Sequence, residues 1–294
     1  MRHVRAWAVG LALAAVPAAA AAHAGGGEEA RWFADRFVDM LIAVTTLLYA
    51  AGYRVLERCG ASARERVAPT PRLLAFAAAL AILVVALLSP LDALADDSFA
   101  WHMAQHLMLM TLAAPLLARS DAHLVMLRAF PLPARRGIGR AVARIPGVRR
   151  GAHSAGAAWL AFGLFSAAVW LWHLPGAYDA ALHDERVHTL EHLSFLTTGI
   201  AFWRVVATSG DRRLGIGTSI LMVALVGLQG AMLAALITLA PRPLYAAYAG
   251  APDALADQVR AGVLMWVPAS LVYLGTTVQA LRRLFAPSRR FRRA

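Results

Sequence analysis

Apolar stretches long enough to cross a bilayer recur along almost the whole chain. A spanning helix needs about 20 predominantly apolar residues, and in lipid only helices and closed barrels satisfy all their backbone groups. Of the 294 residues, 60% are hydrophobic and 16% are charged, whereas soluble domains carry roughly 25% charged residues. The sequence therefore predicts an all-α, polytopic membrane protein.

Seven membrane-spanning helices are predicted after an N-terminal leader. Residues 1–24 have a basic start, an apolar stretch and a small-residue cleavage site, the pattern of a cleaved signal peptide. We expect residues 25–294 to form one seven-helix transmembrane domain with a basic cytoplasmic tail. Pro115 and Pro268 fall inside spans and are expected to kink them. The predicted spans are 36–56, 71–89, 100–118, 154–174, 188–208, 217–240 and 258–281.

The distribution of arginine predicts the orientation. All 29 basic residues are arginine; with the N-terminus outside, 22 of them lie in inner segments and five in outer ones. Cytoplasmic loops carry the basic excess in membrane proteins, so we expect the N-terminus outside and the C-terminus inside. Because the arginines cluster at helix ends, the net charge of +12 reflects the lipid bilayer and indicates no nucleic-acid partner. The single cysteine, Cys59, excludes an internal disulfide.

Six of the ten histidines fall at the outer end of these spans. Four of them form two pairs at i, i+4 spacing, His102/His106 and His188/His192, which places both rings of a pair on one helix face. Ionisable side chains are costly in a bilayer unless partnered, so these histidines are candidates for function. The two pairs predict a metal site facing the outside.

The fourth predicted span ends in a third histidine motif, WLWHLPGAYDAAL. His173 precedes Pro175, where the helix must end or kink, so its ring can turn towards the bundle centre and join the ligands. His183 lies in the following loop and is expected to be an ordinary exposed histidine. Trp170 and Trp172 are interpreted as aromatic residues of the membrane interface.

The methionines near the first pair suggest which metal binds. Met110 continues the histidine face one turn deeper and Met103 flanks it. Imidazole combined with thioether suits copper, particularly Cu(I), better than zinc. Metal-bound histidines are usually held by hydrogen-bonding neighbours. The sequence offers five such neighbours: Gln105, Glu191, Tyr178, Asp257 and Gln258.

Other functions remain open at this point. His188, Glu191 and His192 match the H-x-x-E-H pattern of some zinc peptidases, but a third carboxylate ligand would have to come from Asp253 or Asp257, because no glutamate follows Glu191. A b-type cytochrome would hold haem between histidines of facing helices, yet here the histidines lie at one bilayer level. A transporter is disfavoured because no span carries a convincing midplane charge.

The ordered motifs resemble those of the CtaG-type cytochrome c oxidase assembly factors over residues 36–281. They are HMAQHLMLMTLAAPLL, WHLPGAYDAAL, VHTLEHLSFLTTGIAFW, PLYAAY and ADQVRAGVLMWVP. The residues that match the family pattern are His102, Gln105, His106, His173, Pro175, Tyr178, His188, His192, Trp203, Tyr245, Asp257, Gln258 and Trp266.

This resemblance implies a non-enzymatic assembly protein in the bacterial inner (plasma) membrane. Such a metallochaperone would bind copper on the periplasmic side, receive it from a periplasmic copper donor and pass it to a cytochrome c oxidase subunit as its client. The motif-based expectation of a copper site and the implied function of the family thus agree.

Overall fold

The computed structural model describes residues 36–144, 154–208 and 215–285, and within these ranges it contains helices and turns but no strand. The all-α prediction is therefore confirmed for the described part of the chain. The predicted signal peptide, at 1–24, and most of the predicted basic tail lie outside the described residues. The chain divides into two compact units, Met1–Pro146 and Gly147–Ala294.

The first unit is built of helices joined by very short connections. They are α1 (Arg36–Arg58), α2 (Ala61–Val67), α3 (Thr70–Leu87), α4 (Leu91–Asp97), α5 (Phe99–Leu107), α6 (Ala114–Ser120), α7 (Ala122–Met126) and α8 (Leu132–Arg144). A π-helical segment, Met108–Ala113, joins α5 to α6, and a 3-10 turn, Leu127–Ala129, follows α7.

The core of the first unit lies where α1 and α3 meet the chain around α7. Tyr49 of α1 stacks on Phe76 of α3 with ring centroids 3.8 Å apart, and Val125 of α7 belongs to the same buried cluster. Helix α1 approaches α7 so closely that a Cβ on Gly52 would overlap the Val125 carbonyl. At the neighbouring corner, Asp121 adopts a left-handed conformation with φ 48°.

Residues 99–120 form one helical stretch whose winding changes in the middle. The backbone is α-helical to Leu107, π-helical over Met108–Ala113 and α-helical again to Ser120. Pro115 stands in the first turn of α6, where the missing N–H of proline does least harm. The change of winding thus directly precedes the proline that the sequence predicts to disturb this span.

The second unit contains five helices in its described part. They are α9 (Ala155–Trp172), α10 (Pro175–His183), α11 (Glu185–Thr208), α12 (Ile216–Leu239) and α13 (Ala254–Phe285). Phe165 of α9 stacks on Phe202 of α11 at 5.2 Å. Helices α12 and α13 pack tightly, because a Cβ on Gly262 would overlap the Thr238 hydroxyl and lie 2.9 Å from the Ala234 carbonyl oxygen.

Five described helices are long and apolar enough to cross a membrane, so the chain has the features of a multi-pass membrane protein. They are α1, α3, α9, α12 and α13, and they coincide with five of the seven predicted spans. The third predicted span corresponds to the broken stretch 99–120. The fifth corresponds to α11, which is 24 residues long but more polar. The count of seven and the orientation of the termini remain predictions.

Candidate metal centre

His102 and His106 form a buried pair on α5. Their exposed fractions are 0% and 1%, and their Nε2 atoms face each other at 3.0 Å. Two neutral imidazoles lie this close when the N–H of one donates to the lone pair of the other. The alternative is that both lone pairs bind the same cation. With bonds of 2.0–2.1 Å in tetrahedral geometry, two histidine nitrogens lie about 3.3 Å apart. The observed separation is close to that spacing.

Helix α5 is fixed by a cap at its start and by one buried amide that bonds to neighbouring helices. The Ser98 hydroxyl accepts a hydrogen bond from the Trp101 N–H at 3.4 Å and so caps the helix. Gln105 is fully buried; its amide nitrogen donates to the Ala86 carbonyl at 2.8 Å and to Asp92 Oδ1 at 2.6 Å. The amide therefore ties α5 to the end of α3 and to α4. Gln105 lies between the two histidines in sequence, so this contact also fixes the helix turn that carries them.

The two methionines predicted near this pair are both buried. Met103 is 1% exposed and lies in α5, and Met110 is 8% exposed and lies in the π-helical segment. Because a π-helix adds about one residue per turn, Met110 does not continue the face of the pair at ordinary α-helical spacing. The thioethers are thus present inside the first unit, and their part in metal binding stays a prediction.

His188 and His192 form the corresponding pair on α11. Their ring centroids are 4.2 Å apart, so the i, i+4 prediction is confirmed for this pair also. His192 is buried at 6% exposure, and Glu191 beside it is fully buried. A buried carboxylate next to two imidazoles can accept a ring N–H and fix which nitrogen keeps its lone pair.

The structure connects α9 to α11 directly below this pair. The Trp172 indole N–H donates to the Ser194 hydroxyl at 2.6 Å, and that hydroxyl donates to the Glu191 carbonyl oxygen at 2.8 Å. Trp172 is only 8% exposed, so its interpretation as a membrane-interface residue is wrong. It is a packing residue whose polar tip has found a partner within the protein.

His173 stands at the end of α9 with one ring nitrogen bonded to the backbone. Its Nδ1 lies 2.7 Å from the Val169 carbonyl oxygen, which requires Nδ1 to carry the proton and leaves the lone pair on Nε2. Nε2 is buried and has no hydrogen-bond partner among the residues that the structure describes. A buried imidazole with its outward lone pair unused has the geometry of metal-binding histidines held by a backbone carbonyl. His183, by contrast, is exposed, as predicted.

Tyrosines pack around the end of α9. The Tyr245 hydroxyl donates to the carbonyl oxygen of His173 at 3.0 Å, and its ring lies 4.1 Å from that of Tyr178. Burial is the main cause that raises the pKa of both phenols, and the nearby Glu191 contributes to both shifts. Both tyrosines therefore remain protonated hydrogen-bond donors.

The predicted neighbours Asp257 and Gln258 stand at the start of α13. The Gln258 side chain accepts from the Leu244 N–H at 2.7 Å and donates to the Ile237 and Arg242 carbonyl oxygens at 3.1 and 3.3 Å. Its amide thus fastens the connection between α12 and α13. Asp257 lies 3.6 Å from Arg260. The Asp257–Arg260 contact lies within α13, so it is Gln258 that positions the loop carrying Tyr245.

A family model described as cytochrome c oxidase caa3 assembly factor (Caa3_CtaG) matches residues 47–286. The chain belongs to this family. No curated protein and no solved structure matches it. Membership of the caa3 assembly factor family makes cytochrome c oxidase the implied client and indicates a role in assembly.

Two residues that support the site region were not predicted from the sequence. Asp92 accepts from Gln105, and Asp179 accepts from the backbone N–H groups of Ala246 and Ala247 at 3.4 and 3.3 Å. Each is a carboxylate near the end of a predicted span. That position was visible in the sequence, but the partners lie 13 and 67 or more residues away.

Proposed function

We propose that this assembly factor takes up copper at the outer face of the membrane and hands it to a subunit of cytochrome c oxidase. In this proposal copper is the cargo that the protein delivers, and it is not a catalytic cofactor of the protein. The proposed ligands are the five buried or partly buried histidines and the two neighbouring thioethers: His102, His106, His173, His188, His192, Met103 and Met110.

The observation that carries the proposal is the pair of Nε2 atoms of His102 and His106, 3.0 Å apart in a fully buried position. Such a pair has little reason to be excluded from water in a membrane helix unless its lone pairs serve a ligand. His188 and His192 supply a second pair with the same spacing. Each unit thus offers two imidazoles of one helix face as donors of the kind that bind metal ions.

Copper is the metal that this donor set favours. Neutral imidazoles bind it without bringing charge of their own into the protein, and thioether sulfur favours Cu(I) over zinc. Cargo must also leave, and a set of more ligands than one ion needs permits stepwise ligand exchange. We infer that a periplasmic donor loads the site and that an oxidase subunit displaces the histidines one after another.

The membrane side follows from the distribution of arginine in the sequence. In the inner membrane of a bacterium, the proposed orientation puts both pairs at the periplasmic end of their helices. Copper would then be acquired without crossing the membrane through this protein.

Replacing His102 and His106 together by alanine tests the proposal. We expect the purified variant to retain markedly less copper and the cell to assemble oxidase that lacks active-site copper. The matched control is His183→Ala, which removes an exposed histidine of the same unit as the second pair. Metal analysis combined with X-ray absorption counts the nitrogen and sulfur ligands. Unchanged copper content with normal oxidase activity would falsify the proposal.

The haem alternative fits the first pair poorly. A bis-histidine haem needs its iron between the two nitrogens, which sets them about 4 Å apart on opposite faces of the porphyrin. His102 and His106 face each other at 3.0 Å from the same helix. A reduced-minus-oxidised spectrum of purified protein decides the matter, because a strong Soret band with an α band would overturn the copper proposal.

The H-x-x-E-H peptidase alternative is tested at Glu191. In a zinc peptidase, Glu191→Gln removes the base that activates water and abolishes activity. In a copper carrier, the same change weakens or retunes the neighbouring imidazoles and leaves delivery reduced but present. Oxidase activity and copper content in a Glu191→Gln strain separate these outcomes.

A further inference from the structure

Helix α8 is the longest helix of the first unit that has no buried side chain in the described structure. It spans Leu132–Arg144, 13 residues, and none of them is buried. Isolated helices of this length are marginal in water, and helices in proteins are stabilised mainly by packing one apolar face. Something outside the described chain must supply that face for α8.

The low helix propensity of the α8 sequence makes external packing still more necessary. Gly137 and Gly139 fall in the helix interior, where each glycine costs about 1 kcal/mol relative to alanine. A Cβ at either position would meet no atom within 4 Å, so neither glycine is required by a close contact. The helix therefore depends on an external surface.

The two faces of α8 differ in character, with Arg135 the one arginine on the apolar side. Arg136, Arg140 and Arg144 recur at every fourth residue and form one exposed stripe. Ile138 and Val142, which are 39% and 45% exposed, lie on the other side of the helix at 100° per residue. Helices that combine an arginine face with an apolar face lie in the membrane interface.

The sequence around α8 offers no carboxylate to these arginines. No acidic residue occurs between Asp121 and Asp179. Phe130, just before the helix, and Leu132, its first residue, are 36% and 56% exposed. Phenylalanine and leucine side chains of such helices insert at the boundary of the lipid headgroups. Net positive charge in a stretch of sequence without carboxylates is complementary to anionic phosphate.

We propose that α8 is a binding site for anionic phospholipid headgroups. Its arginine stripe contacts the phosphates, and its apolar stripe enters the boundary of the acyl chains. This inference is independent of copper binding, because it rests on a different part of the chain.

The full-length protein, reconstituted in vesicles, provides the test. Amide hydrogen exchange of residues 132–144 should be about tenfold slower in phosphatidylglycerol-containing vesicles than in pure phosphatidylcholine, since each arginine near an anionic surface adds to binding. Changing Arg136, Arg140 and Arg144 together to Gln should abolish the difference. The matched control is the corresponding triple Lys variant, which keeps the charge and should retain most of the protection.

Each other outcome overturns the proposal. Equal exchange of the wild-type helix in both lipids would show that anionic headgroups do not hold it. Protection that persists in the Gln variant would show that the arginines do not carry the binding. Protection that arises in phosphatidylcholine only when purified oxidase is added would assign the surface to a protein instead.

Discussion

Tyr245 acts on His173 through the peptide backbone. Tyr245→Phe removes the donor to the His173 carbonyl oxygen, and we expect the free energy of unfolding to fall by about 1–1.5 kcal/mol. The looser helix end should also lower copper retention. In a His173→Ala background the stability cost should persist, because the bond is to the backbone, while copper content should fall no further. Denaturant unfolding and metal analysis of the single and double variants measure both effects; an additional copper loss in the double variant contradicts this role.

The Gln105 amide donates to two acceptors on other helices, the Ala86 carbonyl oxygen and Asp92. Gln105→Met keeps the size of the side chain but leaves the Ala86 carbonyl oxygen and Asp92 without their amide donor. We expect the free energy of unfolding to fall by about 1–3 kcal/mol, because the buried Ala86 carbonyl oxygen and the half-buried Asp92 carboxylate each lose a hydrogen bond. Gln279→Met, at an exposed position of α13, should change stability little. Similar midpoints for both variants would show that the Gln105 amide is dispensable.

Spacing predicts which side chains share a helix face, and little more at this scale. The pairs His102/His106 and His188/His192 followed from i, i+4 spacing, because a helix imposes that neighbourhood wherever it forms. The position of the proton on the His173 ring did not follow from spacing, because it depends on how the end of α9 brings the ring to the Val169 carbonyl oxygen. The partners of Gln105 and Gln258 were equally hidden, since they lie on other helices.

Close helix packing at Gly262 is a property of two elements together. Gly262→Ala places a methyl group against Thr238 and the Ala234 carbonyl oxygen, so α12 and α13 must move apart. Overpacking of this kind costs about 1–3 kcal/mol. Gly275→Ala is the matched control on the same helix, because its Cβ would meet nothing within 4 Å, and alanine should stabilise the helix slightly. Thermal unfolding in detergent compares the two, and a Gly262→Ala variant as stable as Gly275→Ala would refute the close approach.

The π-helical segment shows where pattern reasoning ends for an element. Apolar length and the flanking residues located residues 100–118 as a helix within two residues of the observed ends. Pro115 signalled a disturbance, and the winding does change just before it. The sequence cannot specify a π-turn at Met108–Ala113, because one extra residue per turn is decided by how α3 and its neighbours pack against the segment. In α13, by contrast, the helix runs on through Pro268.

At the scale of the whole chain, hydropathy located helices better than it counted spans. The predicted boundaries agree with α1, α3, α9, α12 and α13 to within four residues. The broken stretch 99–120 and α11 match predicted spans equally closely, but they are not among the five helices that are long and apolar enough to cross a membrane. They are also the elements that carry the two histidine pairs. Residues such as Glu191 and His192 lower the apolar character of α11, so the chemistry of the proposed site itself obscures the membrane signal.

The number of spans can be measured at one residue, because seven and five crossings put His183 on opposite sides of the membrane. With the N-terminus outside, five crossings by α1, α3, α9, α12 and α13 place His183 inside, whereas the additional crossings by 99–120 and α11 place it outside. The native Cys59 is exposed and lies inside in either topology. We expect His183→Cys, in a Cys59→Ser background, to react with a membrane-impermeant maleimide in right-side-out vesicles. Ala251→Cys, in the loop before α13, should react there too, and wild-type Cys59 only in inverted vesicles. Labelling of His183→Cys from the inner side alone would establish five crossings and would remove the second histidine pair from the outer face on which copper delivery depends.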